Sequence, residues 1–163
     1  MVAAPPAYPS TLPPESQAYA RQFFECARRG DLEAMRAPLD AGLPPNLTND
    51  KGDTLVMLAA YHGHAELVEF LVKKGADPNR VNDRGQSPLA GAVFKNETRV
   101  VQALLGGGAD PDAGQPSAME AASIFSKMDE YGPLFENARR RRNGAGQVGN
   151  GNATNGTHDS PTA

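Results

Sequence analysis

The chain has 163 residues, 39% of them hydrophobic, with a net charge of −3 and a single cysteine. That length bounds it to one domain with tails. Cys26 on its own excludes an intrachain disulfide and fits a reducing compartment, and no stretch approaches the roughly 18 apolar residues of a membrane span. The charge divides unevenly: residues 15–135 hold 12 basic and 17 acidic residues, whereas residues 136–163 hold four Arg against Glu136 and Asp159. A net-acidic middle speaks against nucleic acid as the main partner. The opening residues lack the basic start and apolar run of a secretory signal, so a cytoplasmic protein is expected, with the nucleus as a further location.

In chain order, residues 1–14 carry Pro5, Pro6, Pro9, Pro13 and Pro14 and almost no aliphatic bulk. Such a segment buries too little to offset the entropy of ordering and is expected to be a disordered arm. Within it, Pro5, Pro6 and Tyr8 fit the Pro-Pro-x-Tyr pattern that WW domains read as a polyproline II strand; the plainer reading is a solvated arm that contains a tyrosine. Next, "FFECARRGDLEAMRAPLDAG" (23–42) reads as two helices broken at Gly30, the second expected to kink at Pro38. "LTNDKGD" (47–53) orders Asn, Asp and Gly as a tight hairpin-type turn does. "TLVMLAAYHG" is a short helix from Thr54 to His62, capped by Thr54 or Asp53 and ended by Gly63. "AELVEFLVKKG" places Leu67, Val68, Leu71 and Val72 on one stripe, Lys73 and Lys74 in the last turn, and Gly75 as the left-handed stop.

The chain then repeats itself. A shift of 33 residues carries Gly52 onto Gly85, Gly42 onto Gly75 and Gly108, and Asp77-Pro78-Asn79 onto Asp110-Pro111-Asp112. It also carries Tyr61 onto Phe94 and Leu67, Val68, Leu71, Val72 onto Val100, Val101, Leu104, Leu105. These residues resemble the ankyrin repeat family. Its T-P-L-H-x-A signature is matched in part by Thr54–Ala59 and Ser87–Ala92, and its G-H and G-A-D-x-N elements by Gly63-His64 and by Gly75-Ala76-Asp77-Pro78-Asn79. The resemblance implies an all-α solenoid of stacked helix-turn-helix units with β-turn or hairpin fingers. Its expected units are about 16–48, 49–81, 82–114 and a shortened 115–135, followed by a disordered Arg-, Asn- and Gly-rich tail (136–163). Met57 and Ala90 stand where the family has its histidine, so that residue's hydrogen bond to the neighbouring turn is absent.

Candidate chemistry is sparse. His62 and His64 fall in repeat register with Arg29/Lys95 and Asp31/Glu97, so no ligand set runs along the stack and no metal is expected. His64 is expected to open its helix through a local polar contact, as Asp31 and Glu97 do. Cys26 aligns with Ala59 and Ala92 and reads as an inert core thiol. "LLGGGADPD" (104–112) follows a helix, whereas phosphate cradles precede one. No catalytic set, cofactor or small-molecule substrate is expected. Arg139 to Arg142 read either as an import or anionic-surface patch or as the charged end of the last helix.

The family's concave face implies the binding residues. At the turn tips they are Asn49, Asp50, Lys51 and Asp53, then Asn82, Asp83, Arg84 and Gln86. At the ends of the short helices they are Arg28, Arg29, Tyr61, His62, Phe94 and Lys95. Aromatic anchors rimmed by cations suit a protein partner, reached by a monomeric adaptor. The alternative is a regulatory subunit or inhibitor of an enzyme, recruited to a WW-domain protein through the arm.

Overall fold

The computed structural model describes residues 14–145. The Pro5, Pro6 and Tyr8 motif and everything beyond residue 145 lie outside the described residues. Within them the helices are α1 (Pro14–Arg29), α2 (Leu32–Asp40), α3 (Leu55–Tyr61), α4 (Ala65–Lys73), α5 (Pro88–Phe94), α6 (Thr98–Gly106), α7 (Ala118–Ile124) and α8 (Met128–Ala145). Consecutive helices pair as hairpins. The first helices stack α1–α3–α5–α7 and the second stack α2–α4–α6–α8, each against its neighbour one repeat away.

Local chemistry sets the helix ends. Thr54, rather than Asp53, caps α3, its Oγ1 accepting from Met57 N at 3.1 Å. Ser87 caps α5 in the same way at 3.1 Å, with Pro88 in the first turn, where a missing N–H costs nothing. Ser117 opens α7 with a reciprocal capping box: Glu120 N donates to Ser117 Oγ (3.1 Å) and Ser117 N to Glu120 Oε2 (2.8 Å). The corner residues Gly42, Gly75 and Gly108 have φ of 104°, 99° and 93°, so the predicted register holds at equivalent turns.

The core is one continuous layer between the two stacks. Leu55, Leu67, Leu71, Leu89, Val100 and Leu104 are all buried to within 1% of full burial. Truncating any of these leucines to Ala costs about 2–5 kcal/mol through lost transfer energy and the cavity left behind. The inner faces of α3, α5 and α7 are small (Ala59, Ala60, Ala92, Ala121, Ala122), which brings these helices close together.

Turns link the repeats by polar contacts that recur down the stack. Asn46 Oδ1 accepts from Asp77 N (2.7 Å), and Asn79 Oδ1 accepts from Asp110 N (2.6 Å). Each asparagine therefore satisfies a backbone donor of the following unit.

Two features of the sequence bear on where the helices run and stop. Pro38 lies inside α2, yet α2 has nine residues, as α4 and α6 do. Pro38 is near the helix end, so only one backbone bond is forgone, and Ala41 N→Ala37 O and Leu43 N→Pro38 O (both 2.9 Å) close the last turn. The last helix also runs to Ala145, past residue 135 where the tail was expected to start. Ala138 continues the buried stripe of Tyr131 and Phe135, while Arg139 and Arg142 fold back onto Asp112 and Asp110.

Candidate functional site

The exposed ends of the first helices fall into register. Gly30, Gly63, Asn96 and Ser126 terminate α1, α3, α5 and α7, all with positive φ. Counting back from these stops gives two ladders across the face. One is Arg28, Tyr61, Phe94 and Ile124; the other is Arg29, His62, Lys95 and Phe125. Cations occupy the α1 end and large apolar side chains the α7 end. Tyr61, Phe94, Ile124 and Phe125 remain 41%, 56%, 66% and 45% exposed, so they serve no core.

These side chains touch one another. Phe94 and Phe125 meet edge-to-face with ring centroids 5.3 Å apart. Lys95 Nζ lies 5.0 Å from the Tyr61 ring centre, a cation–π arrangement. Tyr61 and His62 meet edge-on at 5.5 Å. Partial burial, and then the charges of His64, Arg28 and Lys95, lower the His62 pKa from its ordinary 6.5. The cations therefore act on a common field, although Arg28 also pairs with Glu25.

Between the ladders and the turns lies an apolar cleft of about 280 Å³. Its walls are Tyr61, Phe94, Ile124 and Phe125, and its floor includes Met57, Ala90, Gly91 and Ala121. Met57 and Ala90, the positions that depart from the family signature, thus make this floor apolar.

The predicted tip residues separate into two groups. Asn49 and Asn82 build the turns: Asn49 Oδ1 accepts from Lys51 N (2.9 Å) and Asp53 N (3.0 Å), and Asn82 Oδ1 accepts from Arg84 N and Gln86 N (both 3.0 Å). Asn82 Nδ2 also donates to Asp53 Oδ1 (2.9 Å) and to Gln86 Oε1 (3.0 Å), and Asp83 N donates to Lys51 O (3.1 Å), tying one finger to the next. Asp50, Lys51, Asp83 and Arg84 are exposed, with the Asp83 carboxylate lying over Gly52 of the preceding finger. Each finger closes on two backbone bonds, Asn49 N→Asp53 O with Gly52 N→Asn49 O in the first and Asn82 N→Gln86 O with Gly85 N→Asn82 O in the second, and Thr48 and Thr54 pair as an isolated bridge at the base of the first.

Sequence reasoning missed Ile124 and Phe125. The last unit has shed three finger residues, so Ser117 answers Ser87 at a spacing of 30, not 33. Aligning "SAMEAASIFS" with "SPLAGAVFKN" by their capping serines would have placed both on the face.

His64 also departs from expectation. Asp31 does cap its own helix, through Ala34 N (3.1 Å), but neither His64 nor Glu97 makes a side-chain cap bond. His64 Nε2 instead lies 2.7 Å from Arg28 O, one repeat back. That carbonyl can only accept, so Nε2 carries the proton. Among the described residues, no three His, Cys, Asp or Glu side chains converge as a metal site. No helix there is long and apolar enough to cross a membrane. Cys26 is buried. Of the arginine run, Arg139 binds Asp112 and Glu136, and Arg142 binds Asp110, leaving Arg140 and Arg141 exposed.

The sequence profile of a family described as ankyrin repeats (3 copies) matches residues 23–115, which takes in the end of α1 and all of α2 through α6 and stops short of the α7–α8 pair. A Pseudomonas aeruginosa protein whose name describes it as an ankyrin repeat protein is 52% identical over 54 residues, 33% of this chain. The matched stretch spans about a third of that relative's own length, 32%.

Proposed function

Because the chain belongs to the ankyrin repeat family, whose repeats generally mediate protein–protein contacts, we propose that it is a non-catalytic adaptor that receives a protein partner on its concave first-helix face. One observation carries this reading: Tyr61, Phe94, Ile124 and Phe125 form a continuous exposed apolar strip beside cations, outside the core. Aromatic residues clustered around a desolvated pocket, with charged residues at the rim, are the usual anatomy of an interaction hot spot. The exposed tip residues Asp50, Lys51, Asp83 and Arg84 extend the same face as rim contacts. On this reading the protein works as a monomer in the cytoplasm or nucleus, without cofactor or small-molecule substrate.

The test is a Tyr61→Ala/Phe94→Ala double substitution. Proximity labelling in cells with this variant as control identifies the partner. Its binding should weaken by at least about 2 kcal/mol, roughly thirtyfold, while helical content stays unchanged. Undiminished binding removes the face from consideration.

The Pro-Pro-x-Tyr pattern at Pro5, Pro6 and Tyr8 favours a second reading, a regulatory subunit delivered to a WW-domain protein. A pull-down lost on Tyr8→Ala supports it, and an unchanged set of partners disposes of it.

A further inference from the structure

Resting on the reading that the first-helix face is the binding face, we infer the chemistry of its occupant: an extended peptide segment, acidic at one end and carrying a large apolar side chain at the other, laid across the stack with its acidic end over α1. Charge complementarity is the basis. Arg29 and Lys95 are exposed at the same ladder position on α1 and α5, with His62 between them and Arg28 alongside. Toward α7 the ladder turns apolar, and the cleft accepts a side chain among Phe94, Ile124 and Phe125. Glu120 stands at the register position of Ala90, so a carboxylate marks the apolar end and repels a segment laid in the reverse sense.

The spacing of the two halves sets the segment's length. Packed helices lie about 8–10 Å apart, so Arg29 on α1 stands two spacings from α5 and three from α7, roughly 16–30 Å from the cleft, while Lys95 follows Phe94 at the cleft's edge. An extended chain covers ~3.3 Å per residue, which puts ~5–9 residues between a carboxylate over Arg29 and the apolar anchor, with a carboxylate facing Lys95 closer to that anchor. A nucleic acid would also meet the cations. The fingers, however, carry Asp50, Asp53 and Asp83 alongside Lys51 and Arg84, so the cations do not extend into the continuous basic track a phosphate backbone needs, and the cleft wall is aliphatic at Ile124, which suits a polypeptide better.

A displayed random-peptide library panned on the full chain tests the inference. Peptides selected by the wild type should carry Asp or Glu clustered on one side of a leucine, phenylalanine or tryptophan, and bind more weakly as salt rises. On an Arg29→Glu/Lys95→Glu variant, they should lose about tenfold or more in affinity, and fresh selection should drop the acidic preference while keeping the apolar one. Both substitutions are at exposed positions, and a thermal melt verifies that the variant folds. Charge-blind peptides that still lose binding on Phe94→Ser/Phe125→Ser overturn this inference and leave the concave-face reading standing. Peptides indifferent to Phe94→Ser/Phe125→Ser remove the concave-face reading itself. Failure to enrich any peptide, or equal displacement by a single-stranded oligonucleotide at physiological salt, also overturns the inference.

Discussion

His64 opens α4 but directs its hydrogen bond to the Arg28 carbonyl in the last turn of α1, and this couples it to Gly30. Gly30 has φ of +72°, and a Cβ there would fall 2.4 Å from His64 Nδ1 and 2.5 Å from Cγ. The ring is held by its bond to Arg28 O, so it has little freedom to withdraw. Gly85 has a similar φ of +76°, but nothing lies within 4 Å of its absent Cβ. Both Gly→Ala changes should cost the roughly 1–2 kcal/mol of a left-handed Ala residue, with an added steric cost only at Gly30. His64→Ala alone should cost about 0.5–1.5 kcal/mol, the net value of one hydrogen bond. In a double-mutant cycle by urea denaturation, His64→Ala should abolish the excess penalty of Gly30→Ala, so the two changes couple strongly. Additive penalties would show that the ring moves aside freely.

At the scale of elements, α8 acts as the cap of the stack, and it does so through polar as well as apolar contacts. Tyr131 and Phe135 are fully buried and stack with centroids 6.1 Å apart, while Tyr131 Oη donates to Asn96 Oδ1 at 3.0 Å. Burial raises the Tyr131 pKa above its ordinary value, so the phenol stays protonated as donor. Arg142 pairs with Asp110 in the preceding turn. Partial burial pushes the Asp110 carboxyl up, but hydrogen bonds from Arg142 and from Asp112 N outweigh it, and the net shift is downward. A carboxylate held below its unfolded pKa contributes stability above that unfolded value, and loses it as pH falls through the folded one. Arg142→Ala should therefore lower stability by up to about 1 kcal/mol at neutral pH. Urea melts across the acid range check this: wild type and variant should converge once Asp110 is protonated. A gap that persists there would mean that Arg142 acts through packing, not charge.

Across the whole molecule, stability comes from each repeat burying its neighbour, so the order of local opening should follow position in the stack. α2 buries only Met35 and Leu39 and has one neighbour in its layer, whereas α4 buries Ala65, Leu67, Val68 and Leu71 between two. Native-state hydrogen exchange should find the slowest amides in α3 to α6 and faster exchange in α2. Uniform protection from α1 to α8 would mean that the stack opens only globally. The exposed strip behaves differently from the core: at 41% and 56% exposure, Tyr61 and Phe94 bury only about half of their surface, so their loss should lower the melting temperature less than the loss of a fully buried leucine such as Leu71. That separation between face and core makes the binding test interpretable.

Repeat length, helix stripes and turn chemistry were readable from residues alone because they are local. A 33-residue period, a glycine after each stripe and an Asp-Pro-Asn turn constrain the backbone within a few residues of themselves. Tyr61, His62, Phe94 and Lys95 could be placed on one face for the same reason, since equal spacing puts equal residues at equal heights. What only tertiary structure decided depends on contacts between repeats. Deletion of three finger residues broke the period and hid Ile124 and Phe125; the packed helices restore the alignment through the capping serines and the positive-φ stops at Asn96 and Ser126. Composition made the segment after residue 135 look unable to fold, yet Arg139 and Arg142 find carboxylates 27 and 32 positions back once the last turn stands beside α8. His64, Asn46 and Asn79 likewise satisfy partners one repeat away. Hydrogen bonds over such separations leave no periodic trace in a chain, because they depend on which surfaces meet after the hydrophobic layer has closed.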